Sequence, residues 1–106
     1  MELSNKVLMG LLLDNYSSLL TDKQKEVTES YYLFDLSISE IAENNKTTRQ
    51  AIFDTLQKAE KQLVNFEDKL CLLKQKQTIK KELEQIKEIE DINQIKAQID
   101  LVISKI

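Results

Sequence analysis

The sequence predicts an all-α protein. Proline is absent and the single glycine is Gly10, which removes most of the punctuation that strands and hairpins need. Apolar residues recur every three or four positions along nearly the whole chain, the period of an amphipathic helix. Where these patterns begin, a short polar side chain repeatedly stands three places before Gln or Glu: Thr21 and Gln24, Ser37 and Glu40, Thr47 and Gln50, Asp91 and Gln94. That is the capping-box spacing, in which side chains satisfy the orphan backbone N–H groups of a first helical turn. Each cap contributes on the order of 1 kcal/mol, so the caps set helix starts more firmly than propensity does.

The first helix is expected from near Leu3 to Leu19, turning Leu8, Leu12, Tyr16 and Leu19 to the core. Its apolar run from Val7 to Leu13 is too short to span a bilayer. It follows an acidic start at Glu2 and lacks a small-residue cleavage pattern, so it does not read as a signal peptide. The second helix is expected from Asp22 to about Phe34 with Val27, Tyr31 and Phe34 inward. Two short patterns then follow across a tight polar hinge near residues 44–47: Ile38, Ile41 and Ala42 mark one apolar face, and Ala51, Ile52 and Leu56 a second. This is the outline of a helix-turn-helix, with the small Ala42 allowing close approach.

Beyond the hinge the pattern hardly pauses, running through Leu63, Phe66, Leu70 and Leu73 to Ile79, Leu83, Ile86 and Ile89. One very long helix, or two joined near Asn65, fits equally well. A last helix starts at Asp91 and carries Ile92, Ile95, Ile99, Val102 and Ile106 on one stripe. The reading is therefore a helical domain over residues 1–66 and a continuous helical arm over 67–106, together one structural unit. The isoleucine stripe needs something to cover it, and a second copy of the chain is the expected partner, ahead of a different protein or the chain's own first helix.

Composition excludes several classes. In 106 residues, 42% of them hydrophobic, the chain can bury a core without disulfides or metals. The lone Cys71 has no internal partner and there is no histidine, so a structural zinc site lacks ligands and a reducing, cytoplasmic setting is expected. Catalysis finds no proton shuttle near neutral pH, no Gly-rich phosphate loop and no nucleophile with an evident base. Glu88 and Glu90 read as solvent-facing charges, and Cys71 among leucines reads as a small core residue. No enzyme activity, cofactor, metal, small-molecule substrate or membrane contact is expected.

For nucleic acid, a helix-turn-helix inserts the first turn of its second helix into the major groove. That nominates Thr48, Arg49, Gln50 and Phe53, with Lys46 in the hinge beside them. Arginine suits guanine and glutamine suits adenine by bidentate hydrogen bonds, and Arg49 is the only arginine in the chain. The bland alternative makes it a surface residue paired with Asp54 or Glu43. Charge opposes tight binding: from Leu20 to Phe66 six cations face eight anions, whereas phosphate contacts supply much of the affinity for duplex DNA. A second basic feature, Lys69, Lys74, Lys76, Lys80 and Lys81, has no acid between Lys69 and Glu82 and suits RNA phosphates or an acidic protein face. It lacks the interleaved aromatics of a single-strand platform, and a solvated helix face is the simpler reading.

The segments LLTDKQKEVTESYY (19–32), SEIAE (39–43), TRQAIFD (48–54) and KAEKQLVNFEDKL (58–70) resemble the YlxM-type proteins, small bacterial helix-turn-helix proteins whose front half resembles region four of sigma factors. The resemblance covers nearly the whole chain. It implies a sigma-region-four-like bundle followed by a long helix and a C-terminal helix. It also implies a regulatory part in the signal recognition particle pathway, with one of the particle's GTPases or its RNA as partner. Two other roles stay open: a sequence-specific transcription regulator, and an adaptor for which the helix-turn-helix is only a scaffold. The hinge departs from the usual pattern, which places glycine near Lys46 and apolar side chains at Asn45 and Thr47; all three are polar here, with Asn45 the residue expected to take the left-handed conformation.

Overall fold

The computed structural model describes residues 5–106, so the expected helix start at Leu3 lies outside the described residues. Among these the chain is helical throughout, without strands, and divides into two compact units, one ending at Cys71 and one spanning Leu72–Ile106.

In the first unit, α1 (Lys6–Tyr16) is capped by Asn5, whose side chain accepts from the Val7 and Leu8 amides. A 3-10 turn at Ser17–Leu19 leads to α2 (Asp22–Tyr32), whose N-terminus carries the complete Thr21–Gln24 capping box. The Ser37–Glu40 box is likewise complete and starts α3 (Ile38–Asn44). The last helix, α4 (Arg49–Leu70), is 22 residues long and runs straight through Asn65. It packs on α1, α2 and α3 and is the spine of the unit. Ile52, Leu56, Ala59 and Leu63, at three- and four-residue spacing, are at most 1% exposed.

Three sequence expectations change here. In α1 the buried residues are Met9, Leu12, Leu13 and Tyr16, while Leu8 and Leu19 are exposed. The run VLMGLLL is apolar all round, so its own pattern does not set which face turns inward; packing against α2 and α4 does. In α2, Val27, Thr28 and Tyr32 are buried, Tyr31 is half-buried and Phe34 lies past the helix end in solvent. The fourth helix is capped by Thr48, whose hydroxyl accepts from the Ala51 amide at 3.1 Å, and not by Thr47. Thr47 is used by the hinge, where its amide bonds the Ala42 carbonyl at 3.0 Å.

The second unit is a helical hairpin of α5 (Leu72–Lys87) and α6 (Ile92–Ser104) joined by four residues. Asp91 caps α6 by accepting from the Asn93 and Gln94 amides. The break between α4 and α5 falls at Cys71, held at φ 56° and ψ 30° with its amide on the Glu67 carbonyl. It is thus neither a continuous helix nor a joint at Asn65. Cys71 is half-buried at this joint and is not a core residue.

Candidate nucleic-acid interface

The hinge is built from polar parts. Asn45 keeps φ −95°, and Lys46 takes the left-handed conformation at φ 53°, correcting the expectation that Asn45 would do so. The Lys46 amide bonds Glu43 O and the Thr47 amide bonds Ala42 O, the paired closure of a Schellman motif, which normally favours glycine at the left-handed position. Where apolar anchors are missing, the Asn45 side chain substitutes: its Nδ2 donates to Ile41 O at 2.7 Å and its Oδ1 accepts from Lys23 Nζ at 2.7 Å. Sequence reading missed Lys23, because nothing in its spacing links it to a residue 22 positions on. Replacing Lys46 with glycine is expected to stabilise the protein by about 1 kcal/mol, since a left-handed L-residue costs roughly 1–2 kcal/mol and glycine recovers part of this against its larger unfolded-state entropy. Urea unfolding checks it; a loss of stability would show that the lysine side chain is itself needed at the hinge.

Beyond the hinge, the first turn of α4 opens onto a groove of about 630 Å³ lined by Lys6, Tyr31, Asp35, Ser39, Arg49 and Phe53 among others. Of the nominated residues, Arg49, Gln50 and Phe53 line this groove, whereas Thr48 and Lys46 do not. Thr48 instead spends its hydroxyl lone pair on the cap. Gln50 Nε2 donates to Asp54 Oδ1 at 2.9 Å, one helical turn on, so its amide is oriented before any target arrives. Asp54 is thereby engaged, and among the described residues Arg49 forms no ion pair with it or with Glu43.

In the same groove Lys6 Nζ lies 2.8 Å from Asp35 Oδ1 and 4.5 Å from the centroid of the Tyr31 ring. The hydrogen bond to Asp35 raises the Lys6 ammonium above its ordinary value, and the same bond lowers the Asp35 carboxyl. Glu40 is lowered by hydrogen bonds from the Ser37 backbone and hydroxyl, so it stays charged at the groove rim. With Lys6 neutralised by Asp35, Arg49 is the cation this groove presents. Burial and then the neighbouring Glu60 carboxylate push the Tyr32 phenol up. The unit as a whole, from Asn5 to Cys71, carries eight cations against eleven anions.

Of the five lysines of the expected basic face, the four on α5 do not share one face of that helix. Lys69 lies in α4 of the first unit. At about 100° per residue, Lys76 and Lys80 share one flank of α5, while Lys74 and Lys81, seven apart, share the opposite flank. The α6 stripe also divides: Val102 is buried and Ile95 half-buried, whereas Ile92, Ile99 and Ile106 stay exposed. Ile106 lines a separate groove of about 440 Å³ with Lys74, Thr78, Glu82 and Lys105. Among the described residues no group of three or more acidic, Cys or His side chains is placed to hold a metal, and no helix is long and apolar enough to cross a membrane.

Comparison with known proteins agrees with this geometry. Residues 3–102 match the family UPF0122, described as "Putative helix-turn-helix protein, YlxM / p13 like". A UPF0122 protein of Clostridium botulinum is 52% identical over 71 residues, covering 67% of this chain and 65% of that protein. One from Thermoanaerobacter sp. is 51% identical over 79 residues, covering 74% and 68%. A Fusobacterium nucleatum relative is 49% identical over 77 residues, covering 73% and 75%. The match to the Clostridium botulinum relative thus spans just under two thirds of that protein's length. With a family match over nearly its whole length and a helix-turn-helix built at the place its residues require, the chain belongs to the UPF0122 family of YlxM / p13-like helix-turn-helix proteins.

Proposed function

We propose that this is a regulatory helix-turn-helix protein whose head contacts a macromolecular target through the first turn of α4, and that its place is in the signal recognition particle pathway, on the particle's RNA or a GTPase. The observation that carries the reading is Arg49: exposed at a helix N-terminus, without an ion pair among the described residues, and set in a groove whose other cation is neutralised. One exposed guanidinium within a net-negative unit supports a contact of few charges. Groping along a duplex by many phosphate contacts needs more cations than this surface offers. The pathway assignment rests on the YlxM-type resemblance.

A second reading, sequence-specific recognition of DNA, is favoured by the Gln50–Asp54 hydrogen bond, since an amide held by its neighbour presents a fixed edge to a base. The two part on salt and sequence. Titration of the full chain with random-library duplex DNA, with the particle's RNA and with the particle's GTPase, each across a range of salt, separates them. On the first reading, duplex binding is weak and unselective and one of the other two targets is retained. On the second, Arg49→Ala costs about 1–3 kcal/mol on the preferred duplex, and an unchanged affinity there removes that reading.

A further inference from the structure

We propose that the α5–α6 hairpin docks face to face on a second copy of itself, the two α5 helices parallel, to close a four-helix bundle. This goes beyond the α6 stripe read from the sequence, and it does not depend on what the head binds.

The hairpin has two sides. The Lys105–Glu82 ion pair marks one edge of the seam between its helices, and Lys74 and Thr78 line the same side. Counting helical positions from that edge across the seam, where Ile95 and Val102 lie, the other side receives Leu72 and Leu83 from α5 and Ile92, Ile99 and Ile103 from α6. All five are between 39% and 65% exposed in the whole chain. An aliphatic face spanning two helices exceeds the scattered exposure normal for a monomer. On it, Ile79 and Leu83 floor a trough of about 330 Å³ between Lys76, Lys80, Glu84 and Lys87, shaped to take an aliphatic knob from an opposing helix.

Charge at the edges selects both occupant and direction. The outer edge of α5 carries Lys76, Lys80 and Lys87 with one acid, Glu84; the outer edge of α6 carries Lys96 and Asp100. Two symmetric packings place the faces together. With the α5 helices antiparallel, α5 lies on the partner's α5, and two edges that each hold three lysines against one acid meet. With them parallel, each α5 lies on the partner's α6, so Asp100 enters the lysine edge and Lys96 meets the edge that holds Glu84, twice over by symmetry. The second packing also leaves both heads attached at the same end of the bundle.

Sedimentation velocity of the full chain is expected to show a dimer. Leu83→Asp and Ile99→Asp should each raise the dissociation constant about tenfold or more while helical circular dichroism is retained, both sites being on the surface. Leu101→Asp, on the far side of α6 and 54% exposed, should leave association unchanged. Nitroxides on Cys71, the only cysteine, report direction: parallel α5 axes on a bundle diagonal lie roughly 12–15 Å apart, whereas antiparallel packing adds the length of α5, about 24 Å. A monomer at all concentrations, equal loss with Leu101→Asp, or the longer Cys71 separation would overturn the proposal. Failure of the head to bind RNA, GTPase or DNA would leave these readouts unmoved.

Discussion

Replacing Leu56 with alanine is expected to lower the unfolding free energy by about 3–5 kcal/mol, the largest effect of any single truncation considered. Leu56 is fully buried midway along the buried stripe of α4, the helix against which α1, α2 and α3 all pack. Removing its branched end leaves a cavity that three neighbouring helices cannot all move to fill, and cavity cost adds to lost transfer energy. Urea unfolding should show a lower midpoint with an unchanged slope. Val64→Ala on the same helix, 41% exposed, should change stability by under about 1 kcal/mol. Equal losses at the two sites would refute the placement of α4 as the spine.

Tyr16→Phe should cost about 1.5–3 kcal/mol, although it removes a single oxygen. Tyr16 is fully buried, its ring centroid lies 6.0 Å from that of Phe66, and its hydroxyl donates to Glu67 Oε1 at 2.6 Å. A hydrogen bond to a carboxylate is among the stronger kinds, and phenylalanine leaves a partly buried acid with one donor fewer. Because the bond joins residues 51 positions apart, it ties the end of α1 to the last turns of α4. A loss below about 0.5 kcal/mol would mean water replaces the phenol without penalty.

The elements that were legible in the sequence are those specified locally. Thr21, Ser37 and Asp91 start helices because each carries its acceptor at a fixed distance from the amides it satisfies. Ile41, Ala42, Ile52 and Leu56 form the helix-turn-helix core because their spacing admits one buried face. What was not legible is decided at long range or by a backbone choice that carries no residue signature. The apolar run in α1 has no polar side to fix its rotation, so Met9 and Leu13 displaced Leu8 and Leu19 from the core. Successive threonines at 47 and 48 offer two registers for a cap, and the Schellman closure takes the first of them, leaving the second for α4. At the candidate site, Arg49 and its first-turn neighbours could be named from spacing. The Gln50–Asp54 bond could be suspected from its four-residue separation, but the Lys6–Asp35 pairing that neutralises the groove joins residues 29 apart and has no local trace.

Cys71 is where local pattern and structure part most sharply. Leucines on both sides of it would sustain unbroken helical hydrogen bonding, and neither glycine nor asparagine is there to invite a stop. The division of the molecule into two bodies is therefore written in one pair of torsions, held on the costlier side of the Ramachandran map by about 1–2 kcal/mol. Right-handed torsions at Cys71 would let α4 run on into α5, so the choice of side chain at that position weights the balance between one helix and two.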